Sequence, residues 1–172
     1  MVTGEAYARQ AVNGGYIGIP YSELDCQGFV EKVLADCGVR KANGKKYNWR
    51  GTNSMWRNYY QWRGTRQEAI EKFGIIPEGA WLFHMEQDGG EIPLGYNDGL
   101  GNFKHVGIYL GDPHGSIHST SGGVQFLKYP DKRWTHVLLP DMLDYMQEKP
   151  DNKVKDIIAN IRKELDEIER MV

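Results

Sequence analysis

Residues 103–121 read FKHVGIYLGDPHGSIHSTS, and their alternation sets the fold class. Val106, Ile108 and Leu110 fall on one face of an extended chain, and His105, Gly107 and Tyr109 on the other. GDPHG is a turn, so SIHSTS returns beside the first strand. With Gly111 to His114 as the loop, Leu110 faces Gly115 and Gly107 faces His118. His105 and His118 then share one face in a diagonal relation, roughly 7–8 Å between backbones. A slip of one residue sends His118 to the other face, so register decides whether the two imidazoles meet.

Outward from this pair, GAWLF (79–83), GGVQFLKY (122–129) and WTHVLL (134–139) supply further strands. Helices come earlier. Residues 4–13 are helical and end at Gly14 and Gly15. From Cys26, the residues Phe29, Val30, Val33 and Leu34 recur at helical spacing, and Gly38 is a natural C′ residue. Thr52, Asn53 or Ser54 can cap a short helix carrying Met55 and Trp56, and another helix fits 65–73 before Gly74. Helices first and sheet afterwards, with no regular alternation of the two, predict an α+β fold.

Two segments stand apart. Residues 40–66 hold eight basic residues and no acid, interleaved with aromatics. Several of those aromatics read as core, with the arginines lining a groove for an anionic ligand. In the tail, Val154, Ile158, Ile161, Leu165, Ile168 and Val172 recur at steps of 4, 3, 4, 3 and 4, a heptad seam. The chain thus divides into a domain over 1–148 and an amphipathic helix over 149–172. That helix either packs on its own domain or joins chains, or a further domain, through 151–172.

Bulk properties narrow the function. The net charge of −2 gives no global field toward nucleic acid or membrane. No apolar run approaches the ~18 residues of a membrane span. MVTGEAYARQ has no basic start followed by an apolar stretch, so no secretory signal is read, and synthesis in the cytoplasm is expected. Two cysteines exclude a disulfide framework. His114 and His118 stand four apart, but Pro113 and Gly115 oppose a helix there, and no zinc motif occurs. No metal and no organic cofactor are expected.

In SELDCQGF (22–29), Cys26 stands where a polar loop becomes an apolar helix. It is either a small core residue or a nucleophile. A helix N-terminus stabilises thiolate through its free N–H groups and dipole. A base must come from elsewhere in the fold, and His105 with His118 behind it fits that need.

Several blocks together resemble the NlpC-type cysteine peptidases of the bacterial cell wall. PYSELDCQGFVEKV (20–33) is similar to their Pro-Tyr…Asp-Cys-Ser-Gly-Phe-Val motif, and HVGIYLGDPHGSIHS (105–119) to their His-Val-Gly-Ile-Tyr…His block. RGTNSMW (50–56) and IPEGAWLF (76–83) resemble the intervening segments, so the likeness runs from residue 16 to about 126. Gln27 stands where the family has serine, and Ala80 where it has aspartate. The resemblance implies a papain-like α+β fold and hydrolysis of peptide bonds in peptidoglycan stem peptides, commonly after γ-D-glutamyl. It implies Cys26 as nucleophile, His105 as base, His118 as orienting residue, and an oxyanion site from Tyr21 and the Cys26 N–H. Substrate contacts are expected from Asp25, Gln27, Arg50, Ser54 and Trp56; Asp25 also reads as a helix cap. Action on the wall after phage-type release, or within a larger assembly, is the matching expectation. Amidase or acyl-transfer chemistry on the same fold, and a non-catalytic wall-binding module, are the alternatives.

The tail is tested by sedimentation. A seam that joins chains makes the whole chain an oligomer and a 1–148 truncation a monomer. Equal, monomeric behaviour of both leaves a helix packed on its own domain or frayed in solution.

Overall fold

A computed structural model describes residues 1–86, 92–111 and 114–145. The expected tail helix therefore lies outside the described residues. In chain order the elements are β1 (Val2–Thr3), α1 (Gly4–Asn13), α2 (Cys26–Asp36), α3 (Thr52–Arg57), β2 (Tyr60–Thr65), α4 (Arg66–Phe73), β3 (Trp81–Glu86), β4 (Asn102–Gly111), β5 (Gly115–Thr120), β6 (Gly123–Leu127), β7 (His136–Pro140) and β8 (Leu143–Asp144). The fold is α+β. Its main sheet is antiparallel with strand order β2-β7-β3-β4-β5-β6, and β1 pairs with β8 in a small parallel sheet. No helix among the described residues is long and apolar enough to cross a membrane.

Local chemistry sets the helix ends. Thr3 caps α1 by accepting from the Ala6 N–H, and Asp25 caps α2 by accepting from Gly28 N–H at 2.6 Å. Thr65 and Glu68 form a capping box on α4. Gly38, at φ +78°, lets the chain leave α2 while Val39 N–H returns to Leu34 O at 3.0 Å.

The sheet is covered on both faces. On one, Val106, Ile108, Leu110, Ile117 and Phe83 pack with Phe29, Val30, Val33 and Leu34 of α2 and with Tyr7 and Ala11 of α1. On the other, Leu82, Tyr109, Val137 and Leu139 pack with Ala69 of α4, Ile76 and Trp134. This matches the alternation read in β4. The β6 edge is closed by the segment before α2: Gly18 N–H donates to Val124 O at 2.9 Å, and Val124 N–H to Ile19 O at 3.0 Å.

Three local expectations change. First, β4 and β5 pair as Ile108↔Ile117, Tyr109↔Ser116 and Gly111↔Gly115, so Leu110 is the extra residue of a bulge rather than the partner of Gly115. The register below the bulge is unaffected, and its extension sets Gly107 opposite His118. Second, Tyr60–Thr65 is a strand, which the basic aromatic segment did not announce. It lies at the sheet edge and is largely exposed to half-buried, so it needs no apolar alternation. Third, Thr52, Asn53 and Ser54 do not cap α3; Gly51 precedes it without a side-chain cap. Thr52 Oγ donates instead to Phe103 O. Asn53 Nδ2 donates to Asn102 Oδ1 and its Oδ1 accepts from Phe103 N–H, both at 2.8 Å. These residues stitch α3 to the start of β4.

Asn53 is buried, and its removal orphans the Phe103 N–H. Asn53→Ala is expected to lower unfolding stability by about 2–3 kcal/mol in urea titrations.

Candidate active site

Cys26 is the first residue of α2 and only 6% exposed. The Val106 and Gln27 backbone and the Tyr21 hydroxyl each act to lower its pKa, against a larger rise from burial. Val106 follows His105 in β4, so the thiol lies near the strand that carries His105. One residue before Asp25, Leu24 O accepts from Ser119 Oγ of β5. The start of α2 is thereby tied to β5, just past the last paired position, Ile108↔Ile117. Tyr21 is partly exposed beside the thiol, and the charge on Cys26 is the main influence raising its hydroxyl pKa.

His105 Nε2 and His118 Nδ1 are 2.8 Å apart, and the rings meet edge to face. The chemistry depends on the tautomer. With the proton on His105 Nε2, His105 donates to His118 and leaves Nδ1 as a lone pair able to take a proton from a thiol. The opposite arrangement would make His118 the donor and leave His105 protonated at Nδ1, unable to act as base. Once His105 is an imidazolium, its Nε2–H has the neutral His118 nitrogen as acceptor.

Burial favours neutral groups throughout. It raises the Cys26 pKa and lowers that of His105 to about 3, with His118, Arg133 and His84 opposing protonation further. His118 falls to about 4, chiefly through burial. Burial therefore favours a neutral thiol at Cys26 and neutral imidazoles at His105 and His118.

Trp134 is the neighbour that the sequence did not reveal. Its indole stacks on His105 at 5.5 Å and 7°, and meets His118 edge to face at 5.5 Å. Nε1 donates to Ser116 Oγ at 3.0 Å. Gly107 makes this possible, since a Cβ there would come within 2.8 Å of the indole. WTHVLL announced a strand, but nothing in its spacing placed that indole over a histidine two strands away. The other histidines have separate tasks. His84 Nδ1 bonds to Arg133 O at 2.8 Å, His136 packs on Trp56 and Phe103, and His114 is exposed at the turn.

The remaining expected site residues divide. Asp25 is exposed beside Cys26 and spends Oδ1 on the helix cap. Gln27 donates through Nε2 to Glu31 Oε1 and to Trp49 O, each at 2.7 Å, while Trp49 N–H donates to the same Glu31 oxygen. Its amide hydrogens hold the 40–51 segment against α2. Arg50 follows that latch and is exposed, with its carbonyl accepting from Tyr96 Oη at 3.4 Å. Ser54 is half-buried in α3. Trp56 is a correction: it is 4% exposed, stacks on Phe103 at 4.2 Å, and belongs to the core. The arginines are also corrected in part. Arg57 binds Asp98 at 2.7 Å and the carbonyls of Tyr96, Gly101 and Asn53, pinning the 96–101 loop to α3. Arg63 donates to Trp56 O at 2.7 Å and lies over the Tyr60 ring. Among the described residues no cluster of His, Cys, Asp and Glu is arranged to hold a metal ion.

No family model, curated protein or solved structure matches the chain.

The histidine environment predicts an acid sensitivity. Folded pKa values of about 3 and about 4 lie below the ordinary 6.5, so the unfolded chain binds more protons below that pH. Stability is full above pH 6.5 and falls as pH drops toward 4, by about 1.4 kcal/mol per pH unit for each proton. His136 acts in the same direction. Urea midpoints at pH 7, 6 and 5 should show this slope, and His105→Gln should remove about one proton from it.

Proposed function

We propose that the protein is a cysteine peptidase of papain-like architecture, acting through Cys26, His105 and His118. The observation that carries the reading is the junction of α2 with the sheet. Cys26 opens α2 just after Leu24, whose carbonyl accepts from Ser119 of β5, and on the adjacent β4 His105 has its Nε2 hydrogen-bonded to His118 of β5. A buried cysteine needs no such partners to fill space.

The reading assigns each group a step. Cys26 loses its proton to His105 Nδ1 as sulfur attacks the carbonyl carbon. Negative charge gathers on the carbonyl oxygen, for which the Cys26 N–H and the Tyr21 hydroxyl are the donors; one such donor is worth about 10²–10³ in rate. His105 passes its proton to the leaving amine and an acyl-enzyme remains. Water, deprotonated by His105, then releases the acid and restores the thiol. His118 holds the imidazole in the required tautomer.

The substrate reading is a stem peptide of peptidoglycan, with cleavage after γ-D-glutamyl. It is supported by the motif blocks around Cys26 and His105. It is also supported by an exposed carboxylate, Asp25, beside the nucleophile, suited to a peptide amine, and an exposed cation, Arg50, suited to a peptide carboxylate. Action on the wall after phage-type release completes the proposal.

Defined muropeptides with product mass spectrometry test this directly. The parent should release the γ-D-glutamyl fragment and a new amine. Cys26→Ala should lower turnover by at least about 10³-fold, and His105→Ala by about 10²–10⁴-fold. Cleavage between muramic acid and L-alanine would mark an amidase instead. Undiminished turnover by Cys26→Ala would remove the thiol from the mechanism.

A further inference from the structure

Transfer of the Cys26 proton leaves a thiolate on sulfur and a cation on His105. When His105 takes the Cys26 proton it becomes a cation in a partly buried place. The groups that act on it electrostatically, His118 of β5, Arg133 of the segment before β7 and His84 of β3, all oppose that charge. Asp131 acts on His118 and lies 3.9 Å from Arg133, while Asp25 acts on Cys26 from the start of α2. The acceptor behind His105 is a neutral imidazole, not a carboxylate.

One further group faces the ring. Trp134 lies parallel to His105, 7° between planes with centroids 5.5 Å apart, and is 1% exposed. Its orientation is fixed from two sides, by the Nε1 bond to Ser116 and by the space left at Gly107. We propose that Trp134 is a positioning residue whose π face stabilises the imidazolium formed on His105. An aromatic face attracts a cation, and more strongly where water is excluded. The neutral imidazole gains less from the same face, so the interaction favours the state reached during proton transfer. Nothing is exchanged with the indole; the proton leaves Cys26 Sγ for His105 Nδ1 and later goes to the leaving amine. This rests on the cysteine-peptidase reading, yet its test needs no peptide substrate.

Iodoacetamide alkylation reads the thiolate. The adduct on Cys26 is followed by mass spectrometry from pH 5 to 9 in the parent, Trp134→Phe and Trp134→Leu. A lost π face makes the imidazolium, and hence the thiolate, harder to form. Trp134→Leu should alkylate about 10-fold more slowly or worse at pH 6.5, with its rise displaced to higher pH. Trp134→Phe keeps an aromatic face and should stay within about 3-fold of the parent. Equal rates and profiles in all three overturn the proposal. Equal slowing by Phe and Leu also overturns it, since packing alone then explains the residue. If Trp134→Leu does not fold, the parent's fluorescence takes its place. Indole emission should fall as His105 protonates, and the step should vanish in His105→Gln; a step that persists overturns the proposal. Unchanged muropeptide cleavage by Cys26→Ala sinks the peptidase reading and leaves these arms to judge Trp134 independently.

Discussion

The docking of the α2 N-terminus onto the ends of β4 and β5 is the contact on which the site depends. One hydrogen bond defines it, from Ser119 Oγ to Leu24 O. It forms just past the last paired position of β4 and β5, Ile108↔Ile117. The loop before α2 docks there and brings the thiol with it. The segment before α2 is held in turn by its bonds to Val124 of β6. The residues from Gly18 to Cys26 are therefore fixed at both ends, by β6 and by the β4–β5 opening.

The electrostatics of that junction are those of a dry, neutral site. Burial raises the pKa of the thiol and lowers those of both histidines. All three groups are therefore neutral at rest. The hydrogen bond with His118 fixes the direction of the His105 ring without adding charge. The flat indole of Trp134 shields the two rings from the opposite side and limits how His105 can turn.

Around this centre the basic aromatic segment serves mostly as scaffold. Gln27 and Glu31, one turn apart on α2, grip the backbone of Trp49 on both its N–H and its carbonyl. Arg57 gathers Asp98 and three carbonyls onto α3, with the Tyr96 ring beneath its guanidinium. A half-buried bidentate arginine is a geometric device as much as a charge. Gln27 spans to Trp49 O and Glu31 together, which the shorter side chain of serine could not.

Much of the architecture was legible in the residues themselves. Helices α1, α2 and α4 follow from capping residues, apolar spacing and terminal glycines, all of which act within a few positions along the chain. The two faces of β4 follow from its alternation, because successive side chains of a strand point to opposite sides. Strand β2 was not legible, since an exposed edge strand carries no apolar period. The Leu110 bulge was hidden for a similar reason: it changes the count across a turn and leaves the alternation intact. The cap residues of α3 were misread because Asn53 and Thr52 found better acceptors and donors on β4 than on their own helix.

The sequence by itself determined that Cys26 opens a helix and that His105 and His118 occupy neighbouring strands on one face. These are consequences of local periodicity and turn chemistry. Only the tertiary structure decided that the two imidazoles hydrogen-bond, that the loop before Cys26 docks on Ser119, and that Trp134 lies flat upon His105. It also moved Trp56 from a binding surface into the core. Those outcomes are set by packing and shared hydrogen bonds between elements, the Leu24–Ser119 bond spanning 95 positions, and local spacing does not show them.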